Sequence, residues 1–345
     1  MRLSSIGDVL FCTPVAQAVR ELYPESYLAW LVEEKSREVV EGNPFIDEVI
    51  VWPRLTWRAE RAEGGMLRSL WRHSRFIWQL RQRRFDIALD LQGMARSSLV
   101  AWVSGAKRRV GFQNAREMAQ LLYNEWVTAR ASAAHISEKY LLVASSLGAG
   151  SNKPPMTITF GQADQAASDR LLASVRASGS PDYPLAAFCP SASRTHKLWP
   201  PERYAQVANW VSGNLEMLPL FLGGKGDAVY VEEIREACQC PTASLAGQTS
   251  LKEAAALLAE SRLVIGADTA LTHIGAALRR PVVALFGVAG IDYQPRGPLT
   301  EVVRSDCRCA PCWARGECAV DYECMLGIQV EQVVGAIRRL VCSSG

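Results

Sequence analysis

The chain has 345 residues, of which 49% are hydrophobic and 21% are charged, and its formal net charge is +3. This length accommodates two domains with a core each, and the composition excludes a disordered, collagen-like or coiled-coil protein. No apolar run reaches the roughly 18 residues that a membrane-spanning helix needs, and the N-terminus lacks the order of a signal peptide. We therefore expect a cytoplasmic protein.

Short apolar strands alternate with amphipathic helices along the chain. The predicted strands cover 27–33, 48–52, 86–92, 156–160, 185–191, 216–223, 262–267 and 281–287. The predicted helices cover 11–22, 35–41, 66–84, 94–102, 162–177, 201–213, 227–238, 250–260, 271–279 and 328–340. Most strands are continuous apolar runs, which is typical of parallel strands covered on both faces. The alternation predicts an α/β protein with two doubly wound domains.

The candidate linkers are a Gly-, Ser- and Pro-rich stretch at 148–155 and a second loop at 178–184. We place the boundary between them, so that the first domain covers 1–160 and the second 161–345. Residues 4–8 have the pattern of a strand-to-helix turn, yet almost nothing precedes them, and we expect the first domain to lack its first strand. The last helix is a candidate to pack back on the first domain.

Asp8 is a candidate catalytic carboxylate, because it follows Gly7 at the predicted mouth of a helix. At the carboxyl edge of a parallel sheet, where open α/β folds bind ligands, it would act as a general base toward an acceptor hydroxyl. The alternative is an ordinary helix N-cap, a position that Asp favours.

A second motif, GADTALTHIGAA at 266–277, follows a predicted strand and opens a helix. The free N–H groups and the dipole of such a helix favour an anion. Asp268 and Thr269 supply a cap and a hydroxyl, His273 lies about one turn further on, and small residues such as Ala270 allow close approach. The alternative is a capped helix with a hydrogen-bonded core histidine.

Two more strand ends suit phosphate. The stretch 190–200 combines hydroxyls with Lys197 before a helix, and 223–227 reads GGKGD. The latter lacks Walker A spacing, and no GxGxxG follows the first strand, which disfavours dinucleotide oxidoreduction. Three phosphate-compatible strand ends in one half predict that the second domain binds a nucleotide.

Five of the ten cysteines fall in one stretch, at Cys307, Cys309, Cys312, Cys318 and Cys324. They offer enough thiolates for a structural zinc or an iron–sulfur cluster, but they lack paired CxxC spacing. We expect reduced thiols in a loop, with a metal site or disulfides as the alternatives.

With these motifs the chain resembles the family 9 glycosyltransferases, the bacterial lipopolysaccharide heptosyltransferases. The resemblance is carried by RLSSIGDVL (2–10), DLQGMARSS (90–98), KLWP (197–200), GADTALTHIGAAL (266–278) and PVVALFG (281–287). The stretch at 111–124 is most similar to heptosyltransferase I, whereas the cysteine-rich tail at 309–325 is similar to heptosyltransferase II and to less characterised members of the family.

The resemblance implies a GT-B fold, with two facing Rossmann-like domains and the active site in the cleft. It implies ADP-L-glycero-β-D-manno-heptose as donor and Kdo-lipid A or inner-core lipopolysaccharide as acceptor. Transfer would invert the anomeric carbon and need no metal or other cofactor, and no nucleic acid is expected as partner.

Matching motif to motif, the resemblance implies that Asp8 is the general base and that Lys197 balances diphosphate charge as ADP leaves. The donor contacts that it implies are Ser191, Ser193, Asp227, Thr249, Asp268, Thr269, Ala270 and His273. Among them Asp227 falls near the ribose position and Thr249 near the adenine pocket.

Residues 54–84 carry nine arginines against two glutamates. Given the implied acceptor, we expect this segment to hold anionic groups of the glycolipid and to touch the inner leaflet of the inner membrane. The acceptor-binding candidates are Arg58, Arg61, Arg68 and, near the implied acceptor position, Arg116. Trp52, Trp57, Trp71 and Trp78 suit a headgroup interface. The alternative is a solvated helix face with core tryptophans.

Two other functions stay open. One is a transferase of the same family that uses another nucleotide sugar. The other, from a different class, is a basic nucleic-acid-binding or metal-binding protein built on the arginine segment and the cysteines.

Overall fold

Two α/β units make up the chain: unit 1 covers Met1–Thr157 and unit 2 covers Ile158–Gly345. The computed structural model describes residues 1–62, 66–128, 135–177, 181–192, 197–287, 290–307, 318 and 323–342. Among these residues no helix combines the length and apolar character needed to cross a bilayer.

The described part of unit 1 contains five parallel strands in two groups. They are β1 (Ala29–Glu33), β2 (Glu48–Trp52), β3 (Ile87–Leu89), β4 (Arg108–Phe112) and β5 (Glu125–Val127). β1 pairs with β2, and β3, β4 and β5 pair in that order.

Residues 1–3 lie between the two groups of strands. The amide of Glu33 donates to the carbonyl of Leu3 at 2.9 Å, and the amide of Leu91 donates to the carbonyl of Met1 at 3.0 Å. These residues form no regular strand, but they occupy part of the place expected for the first strand of the domain. A cavity of about 440 Å³, lined mainly by apolar side chains of β1, β3 and their neighbours, adjoins Met1.

The helices of unit 1 are α1 (Ile6–Leu22), α2 (Arg37–Val40), α3 (Arg54–Ala62), α4 (Met66–Gln82), α5 (Ala95–Val103) and α6 (Ile136–Ser145). α1 packs against α6, and α4 packs against α5. Crossover connections between parallel strands are right-handed, so the direction in which a crossover moves along the sheet determines which face of the sheet its helix covers. The crossovers through α4 and α5 run the same way along the sheet, so these two helices cover one face.

Unit 2 is built on six parallel strands in the described residues. They are β6 (Leu185–Cys189), β7 (Leu218–Phe221), β8 (Ala243–Ser244), β9 (Leu263–Gly266), β10 (Val282–Leu285) and β11 (Thr300–Val303). Their order in the sheet is β11-β10-β9-β6-β7-β8. The chain therefore reverses direction between β6 and β9, and a doubly wound sheet binds ligands at the carboxyl ends of such a pair.

The helices of unit 2 are α7 (Gln162–Ala177), α8 (Pro201–Leu215), α9 (Ala228–Glu236), α10 (Leu251–Glu260), α11 (Ala270–Ala277), α12 (Glu323–Leu326) and α13 (Val330–Cys342). Every residue of β6, β7, β9 and β10 is buried, as continuous apolar strands covered on both faces require. The buried side of α13, with Val333 and Ile337, packs in the core of unit 2 itself and against α8 and β11.

The α/β class and the parallel strands confirm the predicted fold class, but several elements differ. Helix α1 begins at Ile6, well before residue 11, because Ser5 and Asp8 form a capping box there. The stretch 156–160 is no strand; the amide of Thr157 donates to the hydroxyl of Thr13 at 2.9 Å. The sequence analysis did not predict the strands β4, β5, β8 and β11 or the helices α3, α6 and α12.

Candidate functional site

Three of the predicted phosphate loops of unit 2 lie side by side. Ser191 follows β6, Gly223 follows β7 and Asp268 follows β9, and these three strands are neighbours in the sheet. Because parallel strands end at the same edge, the structure brings the three loops together at the reversal point of the sheet.

Lys197, Asp268 and His273 form a charged cluster at this edge. The Lys197 ammonium donates to Oδ2 of Asp268, and Nε2 of His273 lies 3.6 Å from Oδ1. Burial by itself would raise the pKa of Asp268, but the hydrogen bond from His273 and the charge of Lys197 hold it below its usual value. Asp268 is therefore ionised at neutral pH and pairs with Lys197.

The first turn of α11 completes the cluster. Thr269 is the N-cap in extended conformation, its side chain makes no capping hydrogen bond, and Ala270 opens the helix. The N–H groups of this turn point out of the helix with the positive end of its dipole. No side chain fits at Gly266, where a Cβ would lie 2.2 Å from the hydroxyl of Thr272. The backbone is therefore closely packed where β9 passes into α11.

Ser191 and Gly223 face each other across the ends of β6 and β7. A Cβ at Gly223 would lie 2.8 Å from the Ser191 hydroxyl, which is buried and has no hydrogen-bond partner among the described residues. Oδ2 of Asp227 accepts the Gly224 amide at 2.7 Å, so this carboxylate holds the glycine loop in shape. The loop after β7 is therefore packed closely against the end of β6, and the described residues supply no hydrogen-bond partner for the Ser191 hydroxyl.

Thr249 lies at the same edge. The amide of Gly247 donates to the carbonyl of Gly223 at 2.9 Å, which ties the loop after β8 to the loop after β7. Thr249 is half-buried and directly precedes Ser250, the N-cap of α10. Of the predicted donor residues, only Ser193 lies outside the described residues.

Asp8 lies in the first turn of α1 in unit 1. The N-cap of this helix is Ser5, whose hydroxyl donates to Oδ2 of Asp8 at 3.0 Å. The alternative interpretation of Asp8 as the N-cap is therefore wrong. Asp8 is the third helical residue after the N-cap, and its carboxylate completes the capping box with Ser5. A guanidinium nitrogen of Arg2 lies 2.9 Å from the same oxygen.

Arg2 was not predicted as part of a site. It is buried, donates to the carbonyl of Leu91 at 2.8 Å and lies over the ring of Tyr140 at 5.3 Å from its centroid. The only sequence signal is its position as the first residue of the RLSSIGDVL motif. Its contacts fix the guanidinium rigidly against Asp8.

Glu33, at the end of β1, centres a second ionic group that sequence reasoning missed. It is buried and lies 3.3 Å from a guanidinium nitrogen of Arg54 and 3.8 Å from one of Arg96. Arg96 also donates to the hydroxyl of Ser4 at 3.3 Å, which links this group to the turn that carries Asp8.

The predicted acceptor arginines lie on different elements of unit 1. Arg58 is exposed on α3, Arg68 is exposed on α4, and Arg116 is exposed in a loop whose amide donates to the carbonyl of Gly93 at 2.9 Å. The side chain of Arg61 lies outside the described residues. The structure does not gather the three described arginines into one contact.

The tryptophans of the basic segment separate into two groups. Trp57 is buried beside His73 and Phe76, so its assignment to an interface is wrong. Trp71 and Trp78 are each 60% exposed.

The cysteine cluster is only partly described: Cys309 and Cys312 lie outside the described residues. Within the described part, no group of three or more His, Cys, Asp or Glu side chains is arranged to hold a metal ion.

Comparison with solved structures defines the fold. A family 9 glycosyl transferase from Veillonella parvula superposes with a TM-score of 0.83, covering 99% of this chain and 96% of that one at 23% identity. The E. coli heptosyltransferase WaaC with ADP gives a TM-score of 0.75 over 98% of each chain at 22% identity. The protein therefore has the GT-B fold of two Rossmann-like domains.

The family follows from the sequence. The model of glycosyltransferase family 9 (heptosyltransferase) matches residues 73–322, and the chain belongs to this family. The lipopolysaccharide core heptosyltransferase OpsX of Haemophilus influenzae is 27% identical over 289 residues, which cover 83% of this chain and 77% of OpsX. The predicted family is thereby confirmed.

Proposed function

We propose that this protein is a lipopolysaccharide heptosyltransferase that moves heptose from ADP-L-glycero-β-D-manno-heptose to the Kdo/heptose inner core. The family and the names of the relatives support the reaction and the acceptor class. The solved relative with bound ADP supports an adenine nucleotide donor. Because the acceptor is lipid-borne, the reaction takes place at a membrane, and we assign it to the cytoplasmic face of the inner membrane.

The observation that carries the proposal is the cluster at the carboxyl edge of unit 2. Lys197, the first-turn amides of α11 and the hydroxyls of Ser191 and Thr269 are hydrogen-bond donors at one edge of the sheet, as a diphosphate requires. Asp268 pairs with Lys197 and His273, which keeps the ammonium oriented at this edge before a donor arrives.

In the proposed step, the acceptor hydroxyl oxygen forms a bond to the anomeric carbon while the bond from that carbon to the diphosphate oxygen breaks. The electron pair leaves with ADP, and the hydroxyl proton passes to the Asp8 carboxylate. As the sugar becomes cationic, charge grows on the leaving diphosphate, where Lys197 and the α11 amides stabilise it.

One base and one stabilised leaving group suffice for a single displacement, which inverts the anomeric configuration; a retaining double displacement would need a nucleophile as well. The positive charge on the diphosphate comes from Lys197 and the helix terminus in this scheme. We therefore propose that turnover does not require a divalent cation, and activity should persist in excess EDTA.

The test is mass spectrometry of reactions with Kdo-lipid A that lacks heptose. A mass gain of one heptose with ADP-heptose, and none with ADP-mannose or a UDP-sugar, is the expected result. Transfer from one of the other donors alone would assign the protein to another nucleotide sugar. Absence of any transfer to Kdo-lipid A and to a heptose-extended core would overturn the proposed function.

A further inference from the structure

Helices α4 and α5 of unit 1 expose large apolar side chains away from the sheet. Leu80 and Val100 point inward, since both belong to one buried cluster with Leu31 of β1. At 3.6 residues per turn, Trp78 and Trp71 lie on the side of α4 opposite Leu80, and Trp102 lies opposite Val100. We define the α4–α5 face as Trp71, Trp78, Leu99 and Trp102, which are 60%, 60%, 48% and 53% exposed.

This exposure is unusual for a protein surface. Soluble domains rarely place several large apolar side chains on adjacent helices facing outward, and such a surface marks a partner or a membrane. The outward tryptophans are not needed for the core of unit 1, because α4 and α5 already bury Leu80 and Val100 against it.

The positive charge of α4 and α5 indicates which kind of partner this face binds. Residues 66–82 contain four arginines and 95–103 one, and neither range contains Asp or Glu. Arg68, Arg75 and Arg81 form no ion pair among the described residues. A helix pair that exposes tryptophan beside these three arginines is complementary to an anionic bilayer, where guanidinium groups meet phosphates and indoles meet the headgroup layer.

One contact illustrates this combination. The guanidinium carbon of Arg75 lies 5.4 Å from the ring centroid of Trp71, over its face. A cation held on an indole presents its charge at the depth of the ring, so both groups can enter the interfacial layer together.

We propose that the α4–α5 face is the surface by which this protein binds anionic bilayers, with Trp71, Trp78, Leu99 and Trp102 in the headgroup layer and the flanking arginines on lipid phosphates. The inference rests on the proposed function, because a bilayer-anchored acceptor must be met at the membrane surface, and it deepens that function by naming the surface.

The experiment is co-sedimentation of the full chain with vesicles of phosphatidylethanolamine and phosphatidylglycerol, compared with phosphatidylcholine alone. We expect salt-sensitive binding to the anionic vesicles only. Trp71→Ala/Trp78→Ala should lower the apparent affinity at least about tenfold, and Arg75→Gln/Arg81→Gln should lower it about fivefold for each arginine. The matched control Val229→Ala/Ile291→Ala removes apolar side chains of unit 2 that are 74% and 73% exposed, and this variant should bind like the wild type.

The variant Leu99→Ser/Trp102→Ser repeats the test on the neighbouring helix, so a folding defect in α4 cannot decide the result. The proposal would be overturned if the wild type and both face variants bound vesicles equally well. It would also be overturned if the wild type bound duplex DNA as tightly as anionic vesicles and the tryptophan substitutions did not change the affinity for DNA.

A parallel assay separates this proposal from the proposed function. Transfer to a delipidated, water-soluble core acceptor should be the same for the wild type and Trp71→Ala/Trp78→Ala. If the wild type transfers nothing but the face variants still lose vesicle binding, the transferase assignment fails and the binding face stands.

Discussion

Arg2 and Asp8 form an ion pair of 2.9 Å at the mouth of α1, and the Arg2 side chain in it is only 10% exposed. The guanidinium is also fixed by the Leu91 carbonyl and the Tyr140 ring. Arg2 and the Ser5 hydroxyl thus both contact Oδ2 of the candidate base Asp8. Its other oxygen, Oδ1, is therefore the one to accept a proton from the acceptor hydroxyl.

Asp8→Asn should abolish transfer and leave donor binding intact. The amide keeps the size of the carboxylate but cannot accept the acceptor proton, and loss of a general base lowers kcat by about 10²–10⁴. The measurements are single-turnover rates and ADP affinity by calorimetry. Near-normal turnover of the variant would remove Asp8 from the catalytic scheme.

Lys197→Met should weaken ADP binding by about tenfold to a hundredfold, the value of one charged hydrogen bond. Methionine keeps much of the length of the side chain but supplies no positive charge to the diphosphate. The control is Lys153→Met, since this lysine lies in unit 1 and its side chain is 64% exposed. Equal loss of affinity in both variants would point to a general charge effect.

The donor edge of unit 2 was predictable because its signals are local. Each loop follows a continuous apolar strand and opens a helix, so Ser191, Lys197, Asp268 and His273 could be placed at one sheet edge from the sequence. The short strands β4, β5 and β8 could not be found in this way, because their few residues include charged or small side chains and their pairing is set by neighbours distant in the chain.

Long-range ionic contacts explain what was missed in unit 1. The group of Glu33, Arg54 and Arg96 joins three elements that are far apart in the sequence. The inward position of Trp57 was missed for a similar reason. The segment that contains it is so rich in arginine that composition indicates a surface, whereas packing against His73 and Phe76 decides its burial.

Asp268→Asn should destabilise the protein in a pH-dependent way. The pKa of Asp268 is lowered in the folded state, so its ionic contacts contribute fully above the ordinary carboxyl pKa and are lost as the pH falls through the folded value. The difference in free energy of unfolding between wild type and variant should be largest near neutral pH and should shrink below about pH 3–4. Urea titrations at several pH values measure it. A difference that grows toward acid pH would contradict this role.

Tyr123→Phe should lower the free energy of unfolding by about 1.5–3 kcal/mol, the range for a hydrogen bond to a charged group. The Tyr123 hydroxyl donates to Oδ2 of fully buried Asp90 at 2.6 Å, and burial together with this carboxylate raises the pKa of the phenol, which stays protonated as a donor. The phenylalanine would leave a buried carboxylate oxygen without this donor. The matched control is Tyr27→Phe. The Tyr27 hydroxyl donates to Glu48 at the surface, where 55% of the tyrosine is exposed, so this variant should lose less than about 1 kcal/mol of the free energy of unfolding. Urea unfolding measures the loss of free energy of unfolding in both variants. Equal losses would mean that the buried hydrogen bond to Asp90 stabilises the fold no more than the exposed one to Glu48.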